Sequence, residues 1–569
     1  MSTNSTKSRK GKKKSRPDQP LTKSKAEAVA GVEATRGDLS ERAWRIASIS
    51  VMAIAALLRL YDLNLVPLHH DEGVNGNFLV RLVREGAYQY DPANYHGPTI
   101  YYFAAIIPWI FRFLFGPSAQ NKYGLTTVTI RLIPALFGIA TIWLVLLLRR
   151  RIGTIGALSA ALLLAISPGA VYLSRYFIHE TQFVFFTLGA VVAGLKYYED
   201  SHPVFLMLAT ASLALLFATK ETAIISVAVL VIALVVTQVY RALRRKDLER
   251  WRRGKRRAPA PDTNLAPNPI ERLGGPARIA VWAVIAIVVF VSLNVLFYSS
   301  FFTNYPKGVY DSLRTFDFWT KTGKQAHVHP LTTYIRWLIR QESPILFLGS
   351  IGAALLVWKP RNSFALFCSL WGFGILAAYS LIAYKTPWLA LNFIVPLAIT
   401  GGYALQMIWD DGLGQIRMIV SILVLAVGLS GYQTIDLNFF NYDNDSQYYV
   451  YVYAHTQRET LALLKEIDAV AARTKQGPLT GITIMAPEYW PLPWYFRDYT
   501  RVGYHGQVTA STEPVIIASE AQGSEIESKF GNDYQQVSSG LNSAGSYSLR
   551  PGVNFLLYVR RDLPAAVPN

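Results

Sequence analysis

Apolar runs about twenty residues long recur along this chain, and nothing constrains its fold more. Each is long enough to cross the ~30 Å hydrocarbon layer of a bilayer as a helix. They fall at about 44–63, 127–148, 153–173, 178–197, 203–219, 222–240, 277–298, 343–358, 363–384, 388–408 and 416–433. That makes about eleven spans by the ~20-residue criterion. Hydrophobic residues fill 51% of the 569 positions, too many for an ordinary soluble enzyme. The expected class is a polytopic α-helical membrane protein.

Charge sets the orientation. Only 16% of residues are charged, yet the net charge is +19. Lys7 to Lys25 holds nine Lys or Arg and one Asp, and Arg241 to Arg257 holds ten Lys or Arg, one Asp and one Glu. Such tracts commonly bind nucleic acid. Beside membrane spans they read as positive-inside signals, so no nucleic-acid partner is expected. Residues 1–43 read as a disordered basic cytosolic tail. Ser, Lys, Ala and Glu follow its basic part rather than an apolar core, so no cleavable signal peptide is expected.

Counting crossings from a cytosolic N-terminus puts Arg149-Arg150-Arg151 and the basic loop 241–276 inside only if Thr99–Phe115 does not cross. That stretch, TIYYFAAIIPWIFRFLF, carries Pro108, Arg112 and seven aromatics. It suits an interfacial helix. The membrane domain then covers 44–433, with outer loops 64–126 and 299–342. The expected location is the cell (plasma) membrane, multi-pass.

Spanning runs stop near Ile435. Residues 434–569 read as a small extracytoplasmic α/β domain, with a helix over 458–473 and buried strands at 481–486, 514–519 and 554–559. The aromatic segment Glu488–Tyr495 is expected to pack or to dock onto the membrane domain, although aromatic faces also stack on sugar rings. The only cysteine, Cys368, excludes an intrachain disulfide and a cysteine metal cluster.

The chemistry gathers at span ends. Pro67 to Gly76, PLHHDEGVNG, places His69, His70, Asp71 and Glu72 in consecutive positions after the first span. Ionisable groups there are costly unless solvated or used. Gly73 and Gly76 are expected to loosen the backbone behind them. A carboxylate in a partly apolar pocket can act as a general base. Asp71 and Glu72 could also hold a divalent cation, Mg or Mn, with His69, His70 or His96 assisting, though no cofactor is required by the sequence. The plainer reading is a solvated loop.

Parity puts Ser174–Glu180 on the same face. Arg175 offers a fork for phosphate, or is a snorkelling anchor partnered by Glu180. Lys220 and Glu221, wedged between two apolar runs, belong to the site or pin a hairpin. His327 and His329 suit an acceptor-binding segment or lid, or are ordinary loop residues. Lys385 is a phosphate contact or a membrane anchor beside Tyr384 and Trp388.

In chain order there is a basic tail, one span, a His-Asp-Glu triplet, and His96-Gly97-Pro98 before an interfacial helix. A span pair joined by arginines, Ser174-Arg175 with an acid beyond it, and Thr219-Lys220-Glu221 follow. This ordered set, over roughly 44–400, resembles the GT-C membrane glycosyltransferases, which include the protein O-mannosyltransferases (glycosyltransferase family 39) and the aminoarabinose transferases. The segments YSSFFTN (Tyr298–Asn304), AYKTPWL (Ala383–Leu389) and EYWPLPWYFRDY (Glu488–Tyr499) are similar to a prokaryotic flippase-activity-associated subgroup linked to protein glycosylation. The chain departs from the mannosyltransferases in its His-Gly-Pro and in ending with an α/β domain.

The resemblance implies a sugar donor on polyprenyl phosphate and an acceptor hydroxyl on protein, lipid or glycan. It implies Asp71 as base, with Glu72 or Glu180 orienting the acceptor or holding a metal. Arg175 and Lys385 would contact the donor phosphate, and the anomeric carbon would invert. The rival reading is a non-enzymatic flippase-associated protein or a transporter of lipid-linked saccharides. A transporter should carry ionisable residues deep within spans, or paired repeats with broken helices. Here the ionisable residues cluster at span ends.

Overall fold

The computed structural model describes residues 1–2, 39–94, 96–116, 124–244, 275–322, 327–359, 361–411, 416–537 and 545–563. The basic tail and most of the basic loop 241–276 lie outside the described residues.

A helix stands at every expected span. Among the described residues, seven helices are long and apolar enough to cross a membrane alone, or up to nine if each of two bent pairs is one span. One pair, Thr154–Ala165 with Pro168–Ser174, bends by 61°. Pro168 cannot donate into the preceding turn, and Ser167 Oγ starts the new helix by accepting from Ala170 N–H. The other, Thr333–Gln341 with Ser343–Trp358, bends by 113°. The two remaining helices are Glu180–Asp200, which begins and ends on charges, and Pro203–Phe217, which has 15 residues. Thr99–Phe115 is a single helix of 17 residues. Its first half is buried, while Phe111, Phe113, Leu114 and Phe115 are exposed.

Helix Leu391–Asp410 forms the centre and is buried from Leu391 to Met407. It packs against Ser343–Trp358, Thr154–Ala165 and Ser363–Leu381. Small residues let the backbones close up, as membrane helices require. A Cβ on Gly401 would stand 2.9 Å from Leu348 Cβ, and one on Gly402 would stand 2.8 Å from Ala160 Cβ.

The His-rich stretch is not a loop. It is the first turn of a helix, His70–Glu85, with His69 as N-cap and Gly86 (φ 66°) as its left-handed stop. Its two glycines do not loosen the backbone either. They make room for the C-terminal domain. A Cβ on Gly73 would lie 2.5 Å from Pro491 Cβ, and one on Gly76 would lie 2.6 Å from Trp494.

That domain is built on a sheet of order β2-β1-β3-β6-β4, with β5 also paired to β6. Strands β1 (Ile482–Ile484), β2 (Val502–Tyr504) and β3 (Val515–Ser519) run parallel. Strands β4 (Tyr534–Gln536), β5 (Tyr547–Arg550) and β6 (Val553–Arg560) are antiparallel to their neighbours. The expected helix appears as Glu459–Arg473.

The aromatic segment after β1 docks the domain. Trp494 is buried beside Gly76, Tyr495 Oη accepts from Leu68 N–H at 2.8 Å, and Arg497 donates to the Leu125 carbonyl at 2.8 Å. Arg84 pairs with Asp498. Gly73→Leu is therefore expected to lever this segment off its helix. Limited proteolysis should release the C-terminal domain faster from the variant than from the wild type.

Candidate active site

One chamber of about 580 Å³ collects side chains from eight separate stretches of chain. His69, His70 and Asp71 line it, with His96, Glu180, Lys220, Glu221 and His327. The docked C-terminal region closes one wall with Tyr453, Ala454 and Arg550.

Helical phase separates the two expected catalytic carboxylates. Consecutive helical residues diverge by about 100° around the axis. Asp71 points into the chamber and its side chain is 42% exposed. Glu72 points away and is fully buried. Arg131 Nε and Nη2 grip its two oxygens at 2.7 and 2.5 Å, and the N–H groups of Phe177 and His69 donate at 2.8 and 3.1 Å. Burial alone would raise the Glu72 carboxyl. Arg131 and these hydrogen bonds hold it below the ordinary range. Glu72, expected to be catalytic beside Asp71, is thus placed outside the chamber with its oxygens already committed. Arg131 also donates to the carbonyls of Leu63, Val66 and Pro67, so the pair fixes the loop before Asp71.

His69 has a capping role. Its Nδ1 accepts from Asp71 N–H at 3.0 Å, which leaves the proton on Nε2, 3.1 Å from the Tyr453 carbonyl. Burial, then His455 and His70, push its pKa well below the ordinary value. It is neutral, so its 3.8 Å approach to the Asp71 carboxylate is not an ion pair. Burial also lowers His70.

A second polar group lies at the Lys220 turn. The His-Gly-Pro segment is laced onto it by Gly97 N–H to the Thr219 carbonyl (3.0 Å) and by Thr99 Oγ1 to Thr219 Oγ1 (2.8 Å). Gly97 is needed there because a Cβ would collide with the Ala218 carbonyl. This lacing sets His96 Nδ1 3.1 Å from Glu221. Lys220 pairs with Glu180. Burial opposes the charge on Lys220, but Glu180 and Glu221 outweigh it and raise its pKa. Burial likewise opposes the Glu221 charge, and His96 and Lys220 bring its pKa below the ordinary range. His179 joins this group, its ring 5.0 Å from His96 and its Nε2 3.0 Å from the Gly97 carbonyl.

Arg175 and Lys385, expected at a donor phosphate, do not line the chamber. Arg175 donates to the carbonyls of Leu58, Tyr61 and Asp62, closing the C-terminal end of the first helix. Lys385 Nζ donates to the carbonyls of His329 and Ile382. Both cations, expected at a phosphate, are instead placed on backbone carbonyls at or near helix ends and in the loop before Thr333. His329 lies outside the chamber, while His327 reaches it and bonds Tyr453 Oη at 2.6 Å.

A divalent cation, which Asp71 and Glu72 could have held together, finds Glu72 turned away from Asp71 and committed to Arg131. Glu72, Glu180 and Glu221 are each paired with a cationic or imidazole partner. Among the described residues no group of three His, Cys, Asp or Glu is arranged to hold a metal.

Sequence reading missed Arg131, His179 and Arg550. Arg131 had a usable signal, a lone charge inside an apolar run. Arg550 had none.

Residues 96–249 match the family described as Dolichyl-phosphate-mannose-protein mannosyltransferase. No curated protein matches the chain in sequence. Its fold is similar to that of ArnT from Cupriavidus metallidurans bound to undecaprenyl phosphate. The TM-score is 0.57 and the identity 14%, over 93% of this chain and 100% of that one. It is also similar to the oligosaccharyltransferase AglB from Archaeoglobus fulgidus, in complex with an inhibitory peptide and a dolichol-phosphate. There the TM-score is 0.51 and the identity 13%, over 84% of this chain and 70% of that one.

Proposed function

We propose that this chain, whose fold is that of the GT-C membrane glycosyltransferases, transfers a sugar from a polyprenyl-phosphate donor to an acceptor hydroxyl. The observation that carries this reading is the chamber itself. It holds an accessible carboxylate, Asp71, on a helix start pinned by the buried Glu72–Arg131 pair.

Asp71 takes the proton of the acceptor hydroxyl as that oxygen attacks the anomeric carbon. The bond from that carbon to the phosphate oxygen breaks, and its electron pair leaves with the polyprenyl phosphate. Displacement from the opposite face inverts the centre. The departing phosphate is a weak base and needs no proton, only positive groups beside it. Lys220 takes the role expected of Arg175 and Lys385, with the His96 ring beside it as a hydrogen-bonding group, because both line the chamber and the expected pair does not. Glu180 holds the Lys220 ammonium in place, and Glu221 orients the His96 ring. The positive-inside pattern supports a cytosolic N-terminus and an outward-facing chamber and C-terminal domain. The acceptor is a hydroxyl on protein, lipid or glycan.

Purified protein given a radiolabelled polyprenyl-phosphate sugar and an envelope extract as acceptor should move label from the lipid phase to an acceptor. No movement of label beyond a protein-free control would sink the reading. Lys220→Gln is expected to reduce turnover about 10²-fold, the size seen on removing one preorganised charge-stabilising donor. Turnover unchanged in that variant would remove Lys220 from the phosphate site.

A further inference from the structure

The C-terminal domain does more than cover the chamber. Arg550, at the end of β5, is one of its lining residues, together with Asp71 and His70 from the membrane domain. Its position is held from two sides. Arg550 pairs with Val553 of β6 across the hairpin turn, and its guanidinium pairs with Glu488, which follows β1. Glu488 opens the segment whose Trp490, Pro491 and Trp494 lie against the helix carrying Asp71. The Trp490 ring centroid is 6.2 Å from that of His70. The segment that docks the domain thus also supplies the partner of Arg550, while sheet pairing holds the Arg550 backbone independently. Its side chain is 15% exposed.

A guanidinium has five donors in a planar fork. Glu488, the partner of Arg550, does not line the chamber, whereas Arg550 and Asp71 both do. Burial weakens the Arg550 charge and the Asp71 carboxylate supports it. The Lys220 turn, by contrast, is formed by the junction of two apolar helices. The base-side group therefore comes from the outer domain, and the other cationic group comes from the membrane domain.

We propose that Arg550 recognises an anionic group, a carboxylate or phosphate, carried by the acceptor next to the hydroxyl that is glycosylated. This rests on the glycosyltransferase reading, because Asp71 marks the acceptor end only if it is the base. Arg550 then selects acidic acceptors, and the C-terminal domain acts as the specificity element of the enzyme.

The test is equilibrium binding to the full-length protein in detergent, with bare polyprenyl phosphate present. Methyl glucuronoside and methyl glucoside serve as probes that differ by one carboxylate. The wild type should bind the glucuronoside about tenfold tighter, as one charge-assisted contact gives. Arg550→Gln should erase that difference and leave the affinity for polyprenyl phosphate unchanged. Glu488→Gln breaks the same salt bridge but keeps the guanidinium, so it should retain the discrimination. Three results overturn the proposal: no discrimination by the wild type, equal loss in both variants, or weakened polyprenyl-phosphate binding in Arg550→Gln. Because binding is read without turnover, failure of the transfer assay remains a separate result that bears on the glycosyltransferase reading.

Discussion

Asp71→Asn is expected to lower turnover by about 10²–10⁴-fold, the range for removing a general base. The change is nearly isosteric. It keeps the Asp71 backbone N–H that His69 Nδ1 accepts, so the helix start survives. The side chain is 42% exposed, and Arg550, the cation it supports, keeps Glu488 as a partner. Affinity for bare polyprenyl phosphate should therefore remain near the wild-type value, and the defect should appear in kcat. A variant that transfers at the wild-type rate would remove Asp71 as the base. A variant that loses lipid binding in proportion to turnover would make Asp71 a binding residue instead.

Glu72→Gln is expected to act on the fold rather than on the chemistry. It leaves Arg131 buried with no compensating charge. Breaking such a pair from one side costs about 3–5 kcal/mol, a large fraction of the stability of an ordinary domain. The variant should show a much lower thermal midpoint in detergent and reduced recovery as a monodisperse species. The pH dependence has a definite sign. The folded-state carboxyl is held below the ordinary range, so its stabilisation is fully present above that range and is lost as pH falls through the depressed value. Wild-type stability should drop there more steeply than that of the Gln variant. Equal midpoints at neutral pH would show that the pair carries no structural weight.

The two predictions concern neighbouring residues of the same chemistry, and this is where reading from sequence alone stops. Apolar runs place the helices because burial of a spanning segment is written in every residue of the run. Charges at span ends can be located in the same way, and Asp71, His96, Glu180, Lys220 and Glu221 do meet in one chamber. What a charge at a span end is used for is not written locally. Arg175 and Lys385 sit at such ends and serve backbone carbonyls. Asp71 and Glu72 differ only in helical phase, which matters once the stretch is known to be a helix. Strands β2, β4 and β5 are three to four residues long, too short for a periodic signal. Arg550 enters the site through sheet pairing and docking, both of which are long-range.

The claim that this chamber performs chemistry rather than passage is tested most directly in sealed liposomes containing the purified protein and a radiolabelled polyprenyl-phosphate sugar. An acceptor extract is supplied on the chamber's side, with transfer and lipid translocation read in the same sample. The account predicts label on the acceptor, with the anomeric centre inverted, in the wild type and not in Asp71→Asn. Translocation of the labelled lipid without any transfer, at equal rates in both proteins, would contradict it.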